Sequence, residues 1–312
     1  MKAIVFAGDP SASQDDQITA PSFLRLEGRP LLLYVLVALD SVAAVDEIEV
    51  FGPQQQIMKV LEGALPHFLF SKTIRVQSRN VKPENLFFSA ERSDKNESDD
   101  PLNVLSARPY ILLLPGNIPL VTSGEIKAFL SAADLSNHDL ALGLSAESQG
   151  PALGSLGSGA AARKAFCHLI DGTFRTNNMA LLRPFGITEQ FEFRGQKEKI
   201  EKKILTSDGD AWGGTLSIDF KALLPCLLAS HWRKINELAG LGLSLEELEE
   251  EAHKYLNIKA KLVKTKIGYA SLHINNTSEL KALEARMNDW REDLLRLSNK
   301  DENECPLAGE SY

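Results

Sequence analysis

Residues 110–114, Tyr-Ile-Leu-Leu-Leu, set the tightest limit on what this chain can become. Five consecutive residues with nothing to solvate on either side make a strand that must be covered on both faces, as in a parallel sheet flanked by helices. Other short apolar runs agree. Residues 3–6 carry β-branched Ile4 and Val5 and end at Ala7-Gly8; residues 47–51 end at Gly52-Pro53; residues 74–76 and 140–144 read as further strands. Between them lie helical patterns, one over 31–39 with Leu32, Val35, Leu36 and Leu39 on one face, and another beginning at 56–61. Pro30 stands where the first of these starts, a place at which a missing N–H costs nothing. Strands alternating with helices in this way predict a mostly parallel, twisted sheet with crossover helices.

The rest of the chain adds to that frame. Residues 84–91 are helical in pattern, and 92–103 form a charged, turn-rich surface loop. Residues 149–159 are rich in glycine but lack the lysine of a phosphate-binding loop, and read as a flexible connection. A turn at Asp171-Gly172 feeds a strand over 173–182. Residues 194–203 form a mixed-charge helix face, and 216–256 predict a helical insertion; Trp212 beside it and His231 and Trp232 within it are expected to serve packing. Two closing strands are expected over 258–263 and 267–274, then a helix over 278–297 with Leu280, Leu283, Met287, Trp290 and Leu294 on one side. The chain reads as one domain over 1–297 with a disordered acidic tail over 298–312.

At 312 residues and 44% hydrophobic, the chain can bury an ordinary core. A net charge of −8 argues against nucleic acid as a partner, which would call for a basic face. No window approaches the roughly 18 apolar residues of a membrane-spanning helix, and no signal peptide is evident, so a cytoplasmic location with no membrane partner is expected. Cys167, Cys226 and Cys305 are scattered without metal-ligand spacing, and Cys167 and Cys226 are expected to be buried thiols.

Several short motifs fall at strand ends: Ala7-Gly8 opening a polar loop, Pro21-Ser22, Gly28-Arg29-Pro30-Leu31, Pro115-Gly116-Asn117-Ile118-Pro119-Leu120, and residues 268–276 followed by Thr277-Ser278-Glu279-Leu280. In order and position this set resembles the sugar-nucleotide and molybdenum-cofactor nucleotidyltransferases, the NTP transferases with a GT-A-like fold, with molybdenum-cofactor guanylyltransferases as the nearest likeness. The resemblance implies a Rossmann-like three-layer α/β/α domain that transfers a nucleotidyl group from a nucleoside triphosphate to a small phosphorylated acceptor and releases pyrophosphate. It implies Mg2+ as cofactor and a nucleoside triphosphate or sugar nucleotide as ligand. It places Ala7, Gly8, Asp9, Ser22, Gly116 and Asn117 at the nucleotide, Arg175 and Asn177 at the acceptor, Asp9 and Arg175 in catalysis, and Asn117 and Asn275 on the metal-binding aspartates.

The identities depart from the family pattern at the charged positions. Asp9 stands for the second glycine of the loop, Ser22 for its lysine, Asn117 and Asn275 for two aspartates, and no signature arginine is present. No basic residue lies between Lys2 and Arg25, whereas Asp9, Asp15 and Asp16 do. A pair of unit charges about 4 Å apart near a protein surface is worth on the order of 4 kcal/mol, so two neutral amides hold a divalent ion far less well than two carboxylates. Asp9 or Asp15 is the replacement the sequence offers. The alternative is a family member that binds a nucleotide, a metabolite or a protein partner without turnover. A glycosyltransferase on the same architecture is discouraged by the missing D-x-D motif.

Overall fold

The computed structural model describes residues 1–8, 20–66, 68–77, 110–133, 136–146, 167–183, 244–256, 259–266 and 268–292. Asp9, Asp15 and Asp16, the segments 84–91, 92–103, 149–159 and 194–203, the first part of the expected helical insertion, Cys226, Cys305 and the tail over 298–312 lie outside the described residues.

The centre of the fold is β1 (Lys2–Phe6), an apolar strand with no face for water. It pairs in parallel with β4 (Glu47–Phe51) on one side and with β6 (Ile111–Pro115) on the other, Val5 lying opposite Val50 and Leu114. Beyond β4 comes β5 (Thr73–Gln77), also parallel. On the far side of β6 the chain inserts β9 (Gly172–Leu182), which runs antiparallel to both β6 and β7 (Leu140–Ala146). The edge strand β10 (Ala260–Thr265) is parallel to β7. The eight-stranded sheet reads β10-β7-β9-β6-β1-β4-β5, with the short β8 (Cys167–Leu169) paired to the start of β9. A small ribbon of β2 (Arg25–Leu26) and β3 (Arg29–Pro30) precedes the first helix.

Helices cover both faces. On one face α1 (Leu31–Asp40), α2 (Gln54–Ala64) and α3 (Ser123–Ala132) send Leu32, Val35, Leu36, Leu39, Ile57, Ile126 and Phe129 against Ala3, Val5, Ile48, Val50, Leu112, Leu114, Met179 and Leu181. The period-2 alternation of the strands and the i, i+3, i+4 spacing of the helices supply both sides of this core. On the other face Leu245 of α4 (Leu245–Leu256) packs on Leu144 and Phe174. A third cluster joins α5 (Thr277–Glu284) to the β2 and β3 ribbon: Leu280, Leu283 and Met287 meet Leu26, Leu31, Tyr269 and Ile274. Among the described residues no helix is long and apolar enough to cross a membrane.

The apolar face expected for α1 is the one that is buried, and β4 has the expected bounds. Pro30 caps α1 from outside instead of occupying its first turn, and Pro53 caps α2, accepting the N–H of Gln56 and Ile57, so that helix starts two residues earlier than its pattern suggests. Two expectations are corrected. The second closing strand, expected over 267–274, is not a strand over its described residues 268–274: the backbone forms a 3-10 turn at Tyr269–Ser271 and then crosses toward β6, where the Ile274 N–H donates to the Asn117 carbonyl at 2.9 Å. Its alternating apolar residues fill the third cluster instead of a sheet face. The last helix breaks at 285–286 and resumes over 287–292; Arg286 N–H bonds back only three residues, to Leu283, and the change of direction sets Trp290 edge-on to Tyr269 at 6.1 Å.

Candidate functional site at the carboxyl edge of the sheet

Parallel strands deliver their carboxyl ends to one edge, and most of the expected site residues gather there. β1 leaves the sheet at Ala7, whose N–H donates to the Phe51 carbonyl at 2.7 Å, and turns at Gly8 with φ 129°, a left-handed value that favours glycine. β6 leaves at Gly116, whose N–H donates to the Phe6 carbonyl at 2.7 Å. A Cβ at Gly116 would stand 2.9 Å from Ser22 Oγ and 3.1 Å from both Leu32 Cδ1 and the Phe6 oxygen. Glycine is therefore required at 116 by close approach, and the buried Ser22, in the 3-10 turn Pro21–Phe23, lies directly against the strand exit.

Asn117 follows, with a side chain 0% exposed. Its Nδ2 donates to the Ile274 carbonyl at 2.9 Å and to Asn275 Oδ1 at 3.3 Å, while its own carbonyl accepts the Ile274 N–H. Two stretches 157 residues apart in sequence are thus locked together at one point. Asn117 Oδ1 is buried with no hydrogen-bond partner. Asn275 is exposed, and its N–H donates to Glu279 Oε2 at 2.8 Å. Asn276 caps α5: its Oδ1 accepts the Glu279 N–H at 2.9 Å, and Glu279 Oε1 accepts from Asn276 Nδ2 at 3.0 Å.

The neighbouring strand supplies a second polar layer. Asn177, expected at the acceptor, has a fully buried side chain that donates to Thr265 Oγ1 at 3.1 Å; its Oδ1 accepts the N–H of Met179. Gly143 makes room for it, since a Cβ there would lie 1.8 Å from Asn177 Oδ1, and the β7–β9 register shifts at the same place. Asn178 adopts φ 57° and donates to the Ala270 carbonyl at 2.8 Å. On the other side of that residue, the Ala270 N–H donates to Glu125 Oε2 at 3.0 Å. Glu125 sits in the first turn of α3, 0% exposed, with Oε1 unpartnered; burial pushes its carboxyl up to about 8, opposed by the Ala270 N–H and the Arg175 charge. Arg175, half-buried on β9 opposite Ser145, has its guanidinium lowered from the usual value by the same burial, with Glu125 acting against it.

Ala7, Gly8, Ser22, Gly116, Asn117 and Asn275 therefore come together around the ends of β1 and β6, and Arg175 belongs to the adjoining layer with Glu125. Asn177 is committed to the interior of the sheet. The sequence reading missed Glu125: Thr-Ser-Gly-Glu over 122–125 has the spacing of a capping box, which predicts a surface carboxylate reaching back to its own helix start. Thr122 does cap the helix, accepting the Glu125 N–H at 3.1 Å, but the carboxyl turns inward to Ala270.

The groups that the described residues bring to this edge do not fit magnesium. Asn117 and Asn275 are neutral, and the amide of Asn117 faces its partner with N–H rather than oxygen. Both Glu279 oxygens are taken by the α5 cap, and Glu125 is buried against Ala270. Among the described residues no group of three His, Cys, Asp or Glu could hold a metal ion.

With this geometry in place, comparison with known proteins is informative about architecture. No family model matches the chain, and no curated protein matches it. Among solved structures it is similar to a hypothetical transferase from Thermus thermophilus, with 19% identity and a TM-score of 0.53 over 89% of this chain and 98% of that one. The chain has a GT-A-like α/β fold. It is also similar to a 4-diphosphocytidyl-2C-methyl-D-erythritol synthase from Anaerococcus prevotii, with 12% identity and a TM-score of 0.48 over 92% and 95% of the two chains. A CMP:2-keto-3-deoxy-manno-octonic acid synthetase complexed with CTP matches at 12% identity, with a TM-score of 0.44 over 92% and 98%.

Proposed function

We propose that this chain binds a nucleoside triphosphate or sugar nucleotide at the carboxyl edge of its sheet, between the turn at Ala7-Gly8 and the strand exit at Gly116-Asn117. The observation that carries the reading is topological. β1 has β4 on one side and β6 on the other, both parallel to it; the connection that follows β1 runs to β4 and the one that follows β6 runs the other way to β7, which opens a crevice between the ends of β1 and β6. Open α/β sheets bind ligands in that crevice, because the loops that would fill it diverge. The glycine turn, Ser22 and the locked pair Asn117 and Asn275 stand at that edge.

A second reading adds turnover. A small phosphorylated acceptor would attack the α-phosphorus, forming a new P–O bond as the bond to pyrophosphate breaks; such a displacement depends on positioning and charge stabilisation more than on covalent chemistry by the protein. A cation at this edge that favours it is Arg175, next to Glu125. Guanylyl transfer to a molybdenum-cofactor precursor is one case of it.

Titrating the purified full chain with ATP, GTP, CTP and UTP, and with nucleotide sugars, tests the binding reading; saturable binding of at least one is expected, and its absence across the panel refutes it. Pyrophosphate release with a panel of sugar phosphates and cofactor precursors separates the two readings: release establishes transfer, and binding without release leaves a nucleotide-binding protein on a transferase-like fold.

A further inference from the structure

The amide pair at the strand end carries a chemistry different from the one its position suggests. We propose that Asn275, oriented by Asn117, donates a hydrogen bond from Nδ2 to a phosphoryl oxygen of the bound nucleotide, and that binding needs no divalent cation. This rests on the nucleotide-binding reading above and names how that site meets its ligand.

The orientation of both amides follows from the backbone. Ile274 N–H already donates to the Asn117 carbonyl, so the Ile274 carbonyl beside it needs a donor, and Asn117 Nδ2 provides one at 2.9 Å. Turning the Asn117 amide over would set two oxygens against each other, which fixes the assignment. The second Nδ2 hydrogen then meets Asn275 Oδ1 at 3.3 Å. Asn275 is left with its acceptor turned inward and its Nδ2 group at the exposed end of the side chain, where no described residue accepts from it. The cost of the arrangement is the buried, unpartnered Asn117 Oδ1, so the lock is imposed by the 117–274 junction and is not a way of satisfying Asn117 itself.

A carboxylate pair at these positions would offer oxygen to a hard cation, and the cation would then meet the phosphate. The amide pair offers N–H instead, which meets a phosphate oxygen directly. Among the described residues the two arrangements compete: a cation placed here would face the Asn275 N–H group, and the described carboxylate beside it, Glu279, has both oxygens bonded to Asn275 and Asn276. In this account Asn117 is a positioning residue and Asn275 is the group that touches the ligand.

Calorimetric titration of the full chain with the four nucleoside triphosphates, in magnesium and in EDTA, tests it. The expected result is a Kd that changes by less than about threefold between the two conditions. Binding that weakens about tenfold or more in EDTA overturns the proposal while leaving the nucleotide reading intact; no binding in either buffer removes that reading and the proposal with it. Manganese alone, followed by its free-ion electron paramagnetic resonance signal, should remain unbound, and a stoichiometric site would overturn the proposal. Asn275→Asp reverses donor to acceptor at an exposed position where folding is not at stake. It should weaken binding in EDTA about tenfold or more and recover part of the loss when magnesium is added. Unchanged binding by that variant in EDTA would show that Asn275 does not touch the ligand.

Discussion

Replacing Glu125 with glutamine should stabilise the protein, and by an amount that grows with pH. The glutamine keeps an oxygen for the Ala270 N–H and cannot ionise. In the native chain burial holds the carboxyl protonated up to about pH 8, against 4.5 when the chain is unfolded. The folded pKa is the higher one, so the contribution of Glu125 to stability is fully present below about pH 4.5, is withdrawn as the unfolded chain ionises, and is gone above about pH 8. At about 1.4 kcal/mol per pH unit, the loss reaches roughly 3 kcal/mol at pH 7 and levels off near roughly 5 kcal/mol. Glu125→Gln escapes this loss. Urea unfolding of both proteins between pH 5 and 8.5 measures the difference; every other titrating group is common to the pair and cancels. Equal stability near pH 5 and an advantage of the variant rising to pH 8 is the expected result. A difference that stays flat over that range would mean that Glu125 is ionised in the folded protein at neutral pH, held by Arg175 strongly enough to overcome its burial, and the account of this layer would be wrong.

Two further substitutions probe the packing that holds the edge together. Gly143→Ala would drive a methyl into Asn177 Oδ1, 1.8 Å away, and break its bond to Thr265; urea unfolding should show a loss of roughly 2–4 kcal/mol. The double variant with Asn177→Ala should lose less than the two single changes added together, because the methyl then has room; strict additivity would refute the clash. Asn117→Asp removes the donor to Ile274 and sets a carboxylate against that carbonyl, so a destabilisation of roughly 3–5 kcal/mol at pH 7, shrinking as the pH falls and the new carboxyl is protonated, should appear in the same assay. An aspartate tolerated without loss would show that the 117–274 junction does not depend on the amide.

Much of the frame was legible in the chain because it depends on local patterns. The apolar runs of β1 and β6, the stripe of α1 and the Thr122 cap are each specified by neighbours within a few residues, and the structure uses them, with each strand's bounds moved by one residue. The meeting of Gly116 with Ser22 and of Asn117 with Asn275 was legible only through likeness to a known arrangement of motifs, since spacing alone does not say which strand ends adjoin. The segment 267–274 misled because alternation marks a strand only when a partner is free to pair; the N–H and the carbonyl of Ala270 are taken by Glu125 and Asn178. Arg175 and Asn177, two residues apart on one strand, looked like one acceptor site, yet Asn177 is drawn inward by the space that Gly143 leaves.

The sequence by itself determined the strands of the sheet's centre and the helices packed on them, with the faces they bury, for hydrophobic periodicity acts over single turns and pleats. Tertiary structure decided the chemistry of the edge: that Glu125 is buried and kept neutral, and that Asn117 turns its N–H group toward Asn275. Protonation and amide orientation answer to the dielectric and to hydrogen-bond partners brought in from 145 and 158 residues away, and no local pattern encodes those.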